Sequence, residues 1–124
     1  MRPCLPAIVG IVLIGAVPAL AQPEPARTAE ALRSLHLAGR NLLGILQYCQ
    51  ARGFVGPGAV EAQRDLLRRV PPAPVPEAQE AEEAGRQGIV AFLGSRVPIA
   101  AAAQAEGILV ETRCQVIALG LGAS

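Results

Sequence analysis

Apolar residues recur at alternating intervals of three and four along most of this chain. Leu32, Leu35, Gly39, Leu42, Leu46 and Cys49 are spaced 3-4-3-4-3, the seam of a helix packed on others. The pattern predicts a helix over 29–52, with Thr28 as its cap and Glu30 in its first turn. Gly53 suits the left-handed residue that ends a helix. Gly39 and Gly44 weaken the middle, so Asn41 is expected to restart the helix as a second cap. The stretch Asn41–Phe54, NLLGILQYCQARGF, is the part around which the remaining chain is arranged.

Gly56-Pro57-Gly58 is a turn, with Pro57 suited to a first helical position. A second helix follows over 59–70, with Val60, Leu66, Leu67 and Val70 on one face. Its polar face pairs Glu61 with Arg64 and Asp65 with Arg68. PPAPVP, residues 71–76, reads as a stiff extended connector. A third helix is expected over 77–93, opening on Glu77, Glu80, Glu82 and Glu83, where the helix dipole favours acids. Its seam runs through Ala78, Ala81, Gly85, Gly88, Ile89 and Phe92. Ala103, Gly107, Val110, Cys114, Ile117 and Leu121 mark a last helical stretch over 99–121. No segment shows bounded strand alternation. The expected fold is all-α, a small bundle of about four helices stapled by one disulfide.

The amino terminus changes the reading of compartment. Arg2, the aliphatic run Ala7–Val17, Pro18 and the Ala19-Leu20-Ala21 motif form a secretory signal peptide over 1–21, with cleavage expected between Ala21 and Gln22. The run is too short to span a bilayer, so no stable membrane anchor is expected after cleavage. The domain organisation is then a leader over 1–21, a Pro-rich lead-in and helix start over 22–40, and a helical domain over 41–124. The expected location is periplasmic or secreted.

Export bears on the cysteines. Cys4 leaves with the leader, and Cys49 and Cys114 remain, both on apolar seams. An oxidising compartment favours their union. Closing so long a loop stabilises by about 4 kcal/mol in the chain-entropy account, a large share of the roughly 5–15 kcal/mol of a whole domain. A redox role is disfavoured, because there is no Cys-x-x-Cys and no activating His or Lys nearby in sequence. Cys49 lies near the end of its helix and Cys114 well inside the last stretch. Joining them requires that stretch to break at Gly107 or the helices to cross steeply, and the break is the favoured reading.

Charge and side-chain chemistry mostly exclude. The 11 basic residues are all arginine, against 10 acidic ones, for a formal net charge of +1. Such balance does not steer a protein to nucleic acid. Tyr48, Phe54 and Phe92 are too few for a base-stacking platform. His36 is the sole histidine and has no nucleophile or metal partner at a recognisable spacing. The Glu77–Glu83 acids lack the Gly-turned loop of a calcium site, and no phosphate-binding Gly loop occurs. No cofactor, no metal and no catalytic residue are expected. Tyr48 reads as a packing residue.

GILQYC at Gly44–Cys49, the Gln/Glu/Ala segment running into EAQEAEEAGRQGIVAFL, and ETRCQVIALG at Glu111–Gly120 together resemble the YjjA-like family of small secreted proteobacterial proteins, a family of unknown function. The likeness spans roughly 41–120 and departs from the family in the Pro-rich lead-in and in PPAPVP. It implies an exported helical protein with paired cysteines and brings no catalytic residues.

The expected function is non-enzymatic, binding or structural, in the cell envelope, with an unidentified protein partner. The expected interaction seam is Ala81, Gly85, Gly88, Ile89 and Phe92. Two alternatives stand beside it: an acid-responsive periplasmic chaperone, and an enzyme with a site built from Glu and Arg.

Overall fold

The computed structural model describes Gly15 and residues 24–122. The expected cleavage site and, apart from Gly15, the expected signal peptide lie outside the described residues. The chain folds as α1 (Glu24–Ala51), α2 (Pro57–Leu67), α3 (Val75–Arg86), β1 (Ile89–Phe92), β2 (Ser95–Pro98), α4 (Ile99–Ala105) and α5 (Val110–Gly120). It is mostly helical. The expectation of a purely α fold with about four helices is corrected to five helices and a two-stranded antiparallel sheet among the described residues.

α1 is a single helix of 28 residues. It starts before Thr28, whose hydroxyl donates to the Glu24 carbonyl at 2.9 Å within the helix and does not cap it. Pro25 falls in the first turn, where its missing N–H costs nothing. The predicted restart at Asn41 does not occur. Gly39 and Gly44 are places of close approach, and packing there outweighs their low helix propensity. A Cβ on Gly39 would lie 2.7 Å from Leu67 Cδ2 of α2, and one on Gly44 would lie 2.0 Å from the Glu82 carbonyl oxygen of α3. The Gln63 amide of α2 donates to the Gly39 carbonyl at 2.9 Å, a second tie at the first of these contacts.

α1 ends as its sequence implies. Gly53 has φ 75°, and its N–H donates to Gln50 O while Phe54 N–H donates to Cys49 O. This is the Schellman pattern that satisfies the last carbonyls. The same pattern recurs at the break between α4 and α5. There Gly107 has φ 70° and donates to Gln104 O, and Ile108 N–H reaches Ala103 O at 3.0 Å. The break brings Cys114 to Cys49: the two are joined, with Cα atoms 5.8 Å apart, and both are fully buried. Ile45, Ile99, Val110 and Ile117 pack around them, while Leu43, Leu46, Val60 and Ala118 form the adjoining core over α2.

The third predicted helix is the part most altered. α3 begins at Val75, with Pro76 in its first turn, and stops at Arg86. Gly88 takes φ 77°, and the chain then runs out as β1, turns through Leu93 (φ 47°) and Gly94 (φ 80°), and returns as β2. Positive φ at both turn residues suits the twist of a tight hairpin. The register pairs Val90 with Val97 and Phe92 with Ser95. Ala81 and Gly85 therefore lie on a helix, Gly88 in a turn, and Ile89 and Phe92 on a strand. The expected seam is not one helical face.

Candidate binding surface

Asn41 positions the hairpin. It is 3 % exposed in the middle of α1. Its amide nitrogen donates to Ala81 O of α3 at 3.1 Å and to Ile89 O at 2.9 Å, and its Oδ1 accepts from Ala91 N–H at 3.0 Å. The bonds to Ile89 and Ala91 stand in for a neighbouring strand, satisfying backbone groups on the open edge of β1. At the other end of the ladder Ile99 N–H donates to Gly88 O at 2.8 Å. The hairpin is thus held on α1 and α3 along β1, while β2 is exposed throughout.

With β1 seated in this way, Ile89 and Ala91 are half-buried and Val90 and Phe92 face outward. Phe92 is 55 % exposed and Leu93 at the turn 76 % exposed, with Val97 beside Val90 across the strands. An exposed leucine with positive φ is unusual, since the left-handed region costs a side-chain-bearing residue about 1–2 kcal/mol. Phe92 borders a recess on each side of the hairpin. One, of about 290 Å³, is an apolar groove over Ala38, Leu42 and Ile45 of α1 and Ile117 of α5. The other, of about 330 Å³, lies between α1, α3 and the hairpin turn and carries Glu80 and Arg96 among its walls. Leu109, Val116 and Leu119 of α5 are also exposed.

Of the expected seam residues, Gly85 and Gly88 are buried within the chain. A Cβ on Gly85 would lie 2.2 Å from Asn41 O, and one on Gly88 would lie 2.7 Å from the Tyr48 ring. Tyr48 packs there with the Arg52 guanidinium stacked on it, 3.5 Å from the ring centroid. Ala81 and Ile89 are half-buried, and Phe92 is the member that reaches solvent. Sequence reasoning missed Val90 and Leu93 because it placed 77–93 in a helix, and Val97 because no strand was expected after that helix. The one local signal was Gly94 after the Ile89–Phe92 run, and Leu-Gly is not among the pairs that mark a two-residue hairpin.

The acids that open α3 are largely engaged with arginines. Arg33 Nε donates to Glu77 at 3.0 Å, and this bond raises the Arg33 pKa. Glu82 lies 3.3 Å from Arg40 and 3.4 Å from Arg86, with only 15 % of its side chain exposed, and Glu83 pairs with Arg86 at 3.0 Å. Two of these contacts, Arg33–Glu77 and Arg40–Glu82, join α1 to α3. His36 is buried on the same stretch of α1, and burial, then the charge of Arg40, pushes its pKa below the ordinary value. Among the described residues no group of three or more His, Cys, Asp or Glu side chains is arranged to hold a metal ion, and no helix is long and apolar enough to cross a membrane.

In comparisons with protein-family models, curated proteins and solved structures, the chain matches none.

Proposed function

We propose that this is a non-enzymatic binding protein of the cell envelope, and that its contact surface is the outward face of the β1–β2 hairpin with the recesses beside it. The observation that carries the reading is the grouping of exposed Val90, Phe92, Leu93 and Val97 next to an apolar groove of about 290 Å³. A small domain rarely leaves such residues grouped unless something covers them, and a strained backbone at the turn is often kept where it serves a function. The kinship with YjjA-like secreted proteins and the export signal over 1–21 belong to the same proposal. The form in the periplasm is expected to have the intact mass of a chain beginning at Gln22.

The test is photo-crosslinking in intact cells, with a photoreactive residue placed at Phe92, Val116 or Arg69. Discrete adducts are expected from Phe92 and none from Arg69 on α2. Adducts from Val116 alone would move the surface to α5, and adducts from none of them would end the reading.

A second reading, an acid-responsive chaperone, is favoured by one arrangement. α1 and α3 are joined by two carboxylate–arginine contacts beside a buried histidine. Acid would place a charge on buried His36 beside Arg40, next to the contacts that join the two helices. Light scattering of an aggregating client at pH 3 and pH 7 decides it: suppression at pH 3 alone supports the reading, and none at either pH removes it.

A further inference from the structure

Among the described residues, nearly every charged side chain has an ion-pair or hydrogen-bond partner. Four do not: Glu30, Glu80, Arg69 and Arg96. Two of these four, Glu80 and Arg96, line the same recess, the one of about 330 Å³ between α1, α3 and the hairpin turn. They come from different elements, α3 and β2, and carry opposite charges. Leu37, Ala81, Ala91 and Phe92 supply apolar walls, and Glu77, whose carboxylate is taken up by Arg33, also lines the recess. Half-buried Ser34 and exposed Ser95 also line the recess, and their hydroxyls make no side-chain hydrogen bond within the described residues. Leu93, at positive φ, and Gly94 also line it.

A recess with apolar walls that carries an unpaired exposed carboxylate, an unpaired exposed guanidinium and two free hydroxyls, beside the already paired Glu77, is complementary to an apolar body bearing both charges. The volume stands at the low end of the roughly 300–1,000 Å³ usual for ligand pockets, which selects a small occupant. We propose that this recess binds a short zwitterionic apolar compound, a free apolar amino acid or an uncapped apolar dipeptide. Its ammonium group lies at Glu80, its carboxylate at Arg96, where the guanidinium fork matches it, and its side chains lie against Leu37 and Phe92. The proposal rests on the hairpin face being a binding surface and names the ligand for one side of it.

Titration of the oxidised full-length mature protein with the dipeptide Leu-Leu, followed by amide NMR shifts, tests it. Shifts are expected at Ala91, Gly94 and Ser95, with N-acetyl-Leu-Leu-amide binding more weakly. Glu80→Gln and Arg96→Gln should each weaken Leu-Leu about two- to fivefold, as expected for exposed charge pairs, and Arg69→Gln should leave it unchanged. Absence of shifts at millimolar Leu-Leu, or equal binding of the capped dipeptide, would overturn the proposal. Adducts from Phe92 in cells would persist in that case, which separates loss of this ligand from loss of the binding surface.

Discussion

Gly44 of α1 and Gly85 of α3 meet without side chains between them. A Cβ built on Gly85 would lie 2.8 Å from Gly44 Cα and 2.2 Å from the Asn41 carbonyl oxygen, and one on Gly44 would lie 2.9 Å from Glu82 C. The obstacles are backbone atoms, so a side chain here must push the helices apart. Gly85→Ala is therefore expected to destabilise by about 2–4 kcal/mol, in the range of overpacked or strained core positions. Gly58→Ala in the first turn of α2 meets nothing within 4 Å and should be neutral or stabilising by up to about 1 kcal/mol. Urea unfolding of the two variants checks the contrast; equal midpoints would show that the helices separate freely.

Asn41 is the next point of weakness. Asn41→Leu keeps the volume but leaves Ala81 O, Ile89 O and Ala91 N–H without the partners seen here. Each buried unsatisfied group costs about 1–3 kcal/mol, so a loss of about 3 kcal/mol or more is expected. Amide exchange at Ala91 should accelerate beyond what the global loss of stability accounts for. Unchanged protection at Ala91 would mean that the strand edge does not depend on this side chain.

The Cys49–Cys114 bond closes a sequence separation of 65 residues. Its removal is expected to cost about 4 kcal/mol, chiefly by freeing the unfolded chain. Cys49→Ala and Cys114→Ala should lower the melting temperature alike, because each loses the same bond. The folded, oxidised protein should show no titratable thiol among residues 24–122, and finding one would contradict the pairing.

His36 gives a pH dependence with a definite sign. Burial, with Arg40 adding to it, holds its folded-state pKa below the ordinary 6.5. Above about pH 6.5 the ring is neutral folded or unfolded, and its full contribution is present. As the pH falls below that value the unfolded chain binds the proton first, and stability declines until the folded-state pKa has been passed. Arg40, Arg64 and Arg68 face the same hollow, with Glu82 as its acid, so added charge there has little relief. Chemical denaturation of wild type and His36→Gln between about pH 7 and pH 5 should show the flatter profile in the variant. Parallel profiles would remove His36 from the acid response.

Leu93→Asn should relieve the turn. Asparagine tolerates positive φ better than leucine, and Asn-Gly is the favoured pair for a tight hairpin. A gain of about 1 kcal/mol in stability is expected, together with fewer adducts from Phe92 if the exposed turn leucine serves binding. A loss of stability would mean that Leu93 packs where the structure shows it open.

Local chemistry was legible from the sequence, and tertiary partnership was not. The ends of α1 and α4 could be read at Gly53 and Gly107, since a left-handed glycine closes a helix through bonds to its own last turn. The break at Gly107 and the need to join two cysteines then implied each other. Glu61–Arg64 and Asp65–Arg68 form as their spacing within α2 requires. Ile89–Phe92 could not be assigned in this way. Four apolar residues after a small-residue run fit a helix as well as a strand, and the choice fell to the left-handed Gly88 and to Asn41, 48 positions before Ile89, reaching the strand edge. The same limit applied to Gly44 and Gly85. Low helix propensity is written in each glycine, but the backbone that fills the missing Cβ space comes from the other helix, and only packing brings it there.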